Sequence, residues 1–436
     1  MKVGFYIPNS NFSNVDCRYV LYGNPGIGGT WHLFFIISSC LAQEDNGIDV
    51  FVFLQNKTNK LPEGIDYIQV ADVYEALRTA DDMGIDYFVI NSNLNWNPIL
   101  TMSFTSKIKL IPWCHNFSSV QQLKVFSDFD RVCKIVNVSR EQMDLYRDHV
   151  AFSKMEYIYN CVPFQSALKE AAINSPFGNR HRVVTYIGSL VPEKSFHILA
   201  SIWPDVLKEV PDSHLYVIGS GSLYNQNAKL GKYGIAESDY ESRFMKYLTD
   251  SKGIILPSVH FMGKMGNEKF DILLKTKVGV PNPTGNTETF CLSAVEMQYA
   301  GCAVTAMEAP GYYDTFINGE IVKNRSRLVE SIVRMLKSNN SPMPYSDVSM
   351  ILEKKFAIDV IVNQWASLLL NMTNIESIHS IDQVVNKNYR YKWFKERLRI
   401  LKANHKFLSF LPCVEYFLDI KESVIQKIIK LNNLDK

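Results

Sequence analysis

Short apolar runs alternate with amphipathic stretches along most of the chain. Val3 to Ile7, Ile48 to Leu54, Tyr87 to Ile90, Ile108 to Ile111 and Lys134 to Val138 have the length and continuity of buried strands. Between them, Thr30 to Gln43, Val73 to Asp82 and Arg140 to His149 carry the pattern of helices. Such alternation predicts a parallel, doubly wound sheet. The pattern relaxes from Pro163 to Arg182, where Asn174, Ser175, Pro176, Gly178 and Asn179 read as a linker. It restarts with Val183 to Ile187, His214 to Ile218, Val259 to Phe261, Thr276 to Val280 and Ala303 to Ala306 as further strands. Two similar α/β layers then face each other across a hinge. Ligand is expected at the carboxyl ends of the strands, in the cleft between them.

Within the second half, polar punctuation (Pro281, Pro283, Thr284, Gly285, Asn286) precedes Glu288, and apolar Leu292, Val295 and Tyr299 follow at spacings of three and four. This predicts a helix with Glu288 on or just before its start, Glu296 about two turns further in, and Gly301 as its stop. Two acids so placed can do different work in one cleft. One can face a reacting group while the other accepts hydrogen bonds from the hydroxyls of a sugar or ribose. The spacing alone equally describes an acid favoured by the helix dipole and a solvated acid on the outer face.

Four other segments carry candidate chemistry. Gly26-Ile27-Gly28-Gly29-Thr30 opens a helix, where glycines let backbone amides approach a phosphate. Gly188-Ser189-Leu190-Val191-Pro192-Glu193-Lys194 follows a strand, and Lys194 can pair with a diphosphate. Gly219-Ser220-Gly221 and Phe261-Met262-Gly263 end strands in glycine turns, against which a flat base or phosphate can lie. Trp113-Cys114-His115-Asn116 puts a histidine at a strand end beside aromatics. Each is also compatible with an ordinary turn, a surface lysine or a core histidine.

Composition narrows the class. At 436 residues the chain has room for two domains or three small ones, and 47% hydrophobic with 21% charged residues describes a soluble globular protein. A formal charge of +2 gives no reason to expect nucleic acid. The eight cysteines form no C-x-x-C pair, so reduced thiols in a cytosolic compartment are expected rather than zinc or disulfides. The N-terminal apolar run is too short for a signal peptide, and Leu33 to Ile37 is too short to span a bilayer. The tail differs from the rest. Residues 387–406 hold eight basic side chains (Lys387, Arg390, Lys392, Lys395, Arg397, Arg399, Lys402, Lys406) and one acid, Glu396, interleaved with Tyr389, Tyr391, Trp393, Phe394, Leu398 and Leu401. Two arrangements suit this pattern. One is a helix lying on an anionic membrane surface; the other packs its aromatics on the body and leaves its lysines in water.

The order and spacing of these segments resemble the retaining glycosyltransferases of family 4, the large "group 1" family with GT-B architecture. The resemblance spans about residues 1–340 and is strongest over 183–320. It rests on the first-strand glycine loop, Val136-Asn137-Val138-Ser139, Tyr159-Asn160-Cys161-Val162-Pro163, the turn from Gly188 to Lys194, the Gly-x-Gly and Phe-x-Gly turns, and Glu288-x7-Glu296 running into Ala300 to Val304 and Pro310-Gly311. It implies a GT-B fold: two doubly wound Rossmann-like domains facing a cleft, plus a C-terminal helical tail. The expected division is an acceptor domain over 1–165, a linker over 166–181, a donor domain over 182–340 and tail helices over 341–436.

The resemblance also implies roles. Lys194 contacts the donor diphosphate, Glu296 holds the ribose, Glu288 lies near the donor sugar, and His115 stands near the reacting sugar. Gly28 and Gly29 face the diphosphate, Phe290, Cys291 and Leu292 present backbone amides to the phosphates, and Gly188, Ser189 and Gly263 complete the donor site. The expected reaction is retaining transfer of a hexose from a nucleoside diphosphate sugar to a hydroxyl of a glycan or lipid-linked acceptor, in capsule or O-antigen synthesis. No metal or other cofactor is expected, and no D-x-D motif is placed to hold one. A cytoplasmic location is expected, peripheral at the inner membrane face through 387–406. One departure stands out: Ser189 occupies the place where the family usually has arginine. Arg18, His32 or a residue of 222–245 are candidates to replace that cation. A non-catalytic sugar-nucleotide-binding or scaffold subunit is the alternative, and a sugar-nucleotide isomerase is a third.

Overall fold

In the computed structural model, residues 1–221, 229–371, 389–408 and 410–434 are described. Seven strands form the first sheet: β1 (Lys2–Ile7), β2 (Asp49–Leu54), β3 (Asp66–Gln69), β4 (Tyr87–Asn91), β5 (Lys109–Cys114), β6 (Ile135–Asn137) and β7 (Met155–Tyr157). Their order is β3-β2-β1-β4-β5-β6-β7, and every pairing is parallel. Six more form the second: β8 (His181–Ile187), β9 (His214–Ile218), β10 (Val259–Gly263), β11 (Thr276–Gly279), β12 (Ala303–Met307) and β13 (Gly319–Val322). Their order is β10-β9-β8-β11-β12-β13, again parallel throughout. In each sheet the strand order reverses beside the first strand, between β1 and β4 and between β8 and β11. A crevice opens at such a switch point.

All ten expected strands are present. Three strands the apolar pattern does not announce, β3, β7 and β13, are all at sheet edges. An edge strand is covered on fewer sides, so it needs no continuous apolar run. β3 shows this, with its sequence Asp66-Tyr67-Ile68-Gln69 exposed at both ends. The expected linker is more ordered than its composition suggests, because Ser166–Ile173 is a helix that buries Leu168 and Ala172. The helix expected over Arg140 to His149 runs only over Arg140–Asp144.

After β13 the chain returns to the first domain. Helices Tyr345–Phe356 and Ile358–Leu370 place Phe356 and Trp365 in one core with Phe5, Phe34 and Trp113. The Trp113 and Trp365 rings meet edge-on at 4.8 Å. The Val162 N–H donates to the Phe356 carbonyl at 2.8 Å, locking that return against the first-domain exit.

The tail helix Lys392–Asn404 has the expected period with inverted polarity. Its charged stripe faces the first domain. Lys392 pairs with Glu141 at 2.5 Å, Lys395 with Glu415 at 2.5 Å and Lys402 with Asp148 at 3.4 Å, while Arg147 reaches Glu396 at 2.9 Å. Arg390 pairs with Glu415 and Glu422, and Arg399 with Glu396. Trp393 and Phe394 point to solvent. Tyr389 packs against Tyr313 with ring centroids 5.0 Å apart, but the lysines pair with the body while Trp393 and Phe394 face outward, so the expected arrangement with packed aromatics and solvated lysines is not the one seen. Lys387 lies outside the described residues.

Candidate active site

The two sheets enclose a cleft of about 320 Å³ at the carboxyl ends of β1, β5, β8 and β11. Of the twelve residues expected there, nine line it: Gly29, His115, Gly188, Ser189, Lys194, Glu288, Phe290, Leu292 and Glu296. Gly28, Gly263 and Cys291 do not. Gly28 is set back as the residue preceding helix Gly29–Gln43. Gly263 ends the edge strand β10, two strands away from β8, and is exposed. Cys291 buries its thiol among Ala294, Ala306, Ala309 and Tyr312, where burial pushes its pKa up to about 12.

Glu288 is held by a loop and Glu296 by the helix that follows it. The helix begins at Leu292, four positions after Glu288, and Thr287 in the loop takes a left-handed φ of 66°. Asn282 organises the turn, donating from Nδ2 to the Asn286 carbonyl at 2.7 Å and to Glu288 Oε1 at 3.3 Å. Gly311 explains the Pro-Gly turn further on. A Cβ there would sit 2.8 Å from the Glu288 carbonyl, so only glycine lets that turn close over the loop. At the other end of the helix, Gly301 has φ of 88° and supplies the expected stop.

Two ion pairs line the cleft. Lys194 Nζ donates to Glu288 Oε1 at 2.5 Å, and Lys269 Nζ donates to Glu296 Oε1 at 2.7 Å. Lys269 escapes sequence reasoning, since nothing in Gly266-Asn267-Glu268-Lys269 marks it; the short helix Lys269–Leu273 brings it across to Glu296. Among the described residues that line the cleft, Lys194 and Lys269 are the two lysines, and there is no arginine. Arg18 is not part of the lining and pairs with Asp16 at the surface at 2.6 Å. His32 does line the cleft, but burial lowers its pKa and its Nε2 meets the Val20 carbonyl at 2.8 Å. Residues 222–228 lie outside the described part. Ser189 Oγ donates to the Ser220 carbonyl at 3.2 Å.

Two helix starts border the same space. Helix Gly29–Gln43 begins after Gly28, and helix Leu292–Tyr299 begins after Cys291, each without a side-chain cap. Their first N–H groups are therefore free to meet an anion. The two starts nearly touch, with Gly29 beside Leu292.

His115 is fixed from both domains. Gln142 Nε2 donates to the Cys114 carbonyl at 3.1 Å and the Asn116 carbonyl at 2.9 Å, and Thr289 Oγ1 donates to the His115 carbonyl at 2.6 Å. This gives the Val138-Ser139 turn a physical role: Ser139 Oγ accepts from the Gln142 N–H and starts the short helix that holds Gln142, a cap typically contributing about 1 kcal/mol. The His115 side chain is buried, with its pKa depressed to about 3, and its Nε2 has no hydrogen-bond partner among the described residues. Asn160 Oδ1, also in the lining, is likewise unpartnered. A buried polar atom without a partner costs about 1–3 kcal/mol, so two in one cleft point to groups a ligand supplies. His115 should stay neutral throughout a titration from about pH 8 to pH 5. An imidazole resonance that is lost in His115→Gln should then show no shift, and a midpoint near 6.5 would overturn the buried, neutral assignment.

Comparison with known proteins agrees with this architecture. Residues 169–347 match the family described as Glycosyl transferases group 1. HepE from Anabaena, solved with UDP and glucose, superposes with a TM-score of 0.59 at 16% identity, over 85% of this chain and 100% of that one. Sucrose-phosphate synthase from Thermosynechococcus elongatus gives 0.61 at 15% identity over 85% and 99%. WaaG, a glycosyltransferase involved in lipopolysaccharide biosynthesis, gives 0.55 at 13% identity over 86% and 100%. No curated protein sequence matches the chain. The molecule has the GT-B fold, and the stretch that matches the group 1 glycosyltransferase family spans most of its second domain.

Proposed function

We propose that the protein is a retaining glycosyltransferase of family 4, moving a hexose from a nucleoside diphosphate sugar to a hydroxyl of a glycan or lipid-linked acceptor in cell-surface polysaccharide synthesis. The observation that carries this reading is the convergence of Lys194, Glu288, Lys269, Glu296 and two uncapped helix starts on one interdomain cleft. As the sugar departs, negative charge grows on the leaving diphosphate. Fixed N–H groups and a lysine aimed at that position stabilise it more in the transition state than in the ground state. Lys194 exchanges Glu288 for a phosphate oxygen, which frees the Glu288 carboxylate for a hydroxyl of the donor sugar. Glu296 accepts from the ribose hydroxyls, with Lys269 beside it as the second cation of the cleft. His115, being neutral, contributes hydrogen bonding rather than charge, and its Nε2 and Asn160 Oδ1 take polar groups of the sugars. The proposed transfer needs no resident metal.

Titration calorimetry with UDP, GDP and ADP tests the donor site. One nucleotide is expected to bind at micromolar Kd, weakened about 10- to 100-fold in Glu296→Ala, the range for a lost hydrogen bond to a charged group. Equal affinity in the variant would remove Glu296 from the ribose. Failure of every nucleotide to bind would favour a non-catalytic subunit, for which the absence of an arginine at Ser189 is the structural argument.

A further inference from the structure

We infer that the outward face of the C-terminal helices docks onto an anionic lipid surface by inserting aromatic and aliphatic side chains. This goes beyond the proposed reaction and does not rest on it. Among the described residues, twelve of the twenty-one exposed large hydrophobic side chains fall between Tyr391 and Val424. Trp393, Phe394, Phe410 and Phe417 are 51%, 56%, 77% and 57% exposed. An apolar concentration of this kind on a folded surface marks an interaction site.

Charge identifies the occupant. The tail's positive charge is mostly paired within the chain, with Glu141, Asp148, Glu396, Glu415 and Glu422. The tail acid Asp419 lies 3.6 Å from Arg390. Of the charged side chains described between Tyr391 and Val424, Arg397 and Lys421 are the two with no ion pair to another described residue, and both are positive. A second copy of the chain would bring like charges to this face, whereas an anionic leaflet complements them. Trp and Tyr, apolar with one polar tip, suit the headgroup boundary. No helix among the described residues is long and apolar enough to cross a membrane, so the helices lie in the interface.

The shape of the surface agrees. Phe410, Leu411 and Tyr416 also line a cavity of about 900 Å³ against Val120, Val150 and Phe152 of the first domain. A rigid partner would leave that cavity unfilled and forfeit its contacts; a mobile acyl chain fills it. Val120 lies only five positions past His115, so the docked face sits on the same strand-to-helix connection as the cleft.

Flotation of the full chain with vesicles tests this, using phosphatidylcholine alone and phosphatidylcholine mixed with phosphatidylglycerol. The expected result is binding to both, tighter with the anionic lipid and surviving high salt. In Phe394→Ser/Phe417→Ser partitioning should fall about tenfold or more, since each lost aromatic forfeits burial worth at least that factor. The variant's thermal midpoint and its sedimentation as a folded protein control for misfolding. No flotation, or flotation abolished by salt and indifferent to the phenylalanine changes, would overturn apolar docking. So would a concentration-dependent dimer that the same double variant dissolves, because the occupant is then a second copy.

Discussion

Lys194→Met is expected to lower kcat for sugar transfer by about 100- to 1000-fold, the usual effect of removing one preorganised charge from a developing anion. The Kd for the nucleotide diphosphate should rise by less than this, because the leaving group carries more charge in the transition state than in the bound donor. Lys194→Arg should restore only part of the rate. The Lys194 ammonium lies 2.5 Å from Glu288 in a site where that carboxylate is 8% exposed, and a planar fork does not fit the place of a compact point charge. Glu288→Gln separates the two roles. It removes the acid that pairs with Lys194, so nucleotide affinity should be kept or improved while kcat falls. Steady-state kinetics beside calorimetry read this split. Wild-type kcat in Lys194→Met would mean that the diphosphate is stabilised by other groups, with Lys269 the remaining lysine of the lining.

This site was partly legible in the sequence because its parts sit at fixed offsets along single elements. Glu288 and Glu296 share one loop and helix, Lys194 follows β8 by one turn, and Gly311 is required by its approach to the Glu288 carbonyl. What escaped reading depends on pairs remote in sequence. Lys269 becomes part of the site by meeting Glu296, which is 27 residues away. In the sequence His115 reads equally as a contact to a sugar and as a core histidine, and only the buried surroundings of its ring show that it stays neutral. Interior strands announce themselves through apolar continuity, whereas β3, β7 and β13 do not, since an edge position relaxes that demand. The tail is the clearest case. Its period predicts a helix, but which face turns inward is decided by Glu141, a residue 251 positions earlier in the chain.

That inward face carries the second large effect. Lys392→Met should destabilise the protein by about 3–5 kcal/mol at pH 8, the range for leaving one member of a buried ion pair without its partner. Lys392 and Glu141 are nearly inaccessible, with 2% and 7% of their side chains exposed, and the neighbouring Asp314 adds repulsion. Burial already pushes the Glu141 carboxyl up to about 7 from 4.5, even with Lys392 beside it. An acid whose pKa is raised by folding favours the fold while protonated. Its contribution is complete below about pH 4.5 and is lost as pH rises through 7. Without Lys392 the carboxyl shifts further up, so the variant's deficit should be largest at pH 8 and shrink towards pH 5. Glu141→Gln in the same background removes the stranded charge and should restore most of the stability while flattening the pH dependence, because a neutral replacement of a buried pair is often tolerated. Urea unfolding of the three proteins at both pH values decides the matter. A deficit below about 1 kcal/mol at pH 8, or a double variant no more stable than Lys392→Met, would show that the tail is held by its apolar contacts and that the inverted charged stripe contributes little.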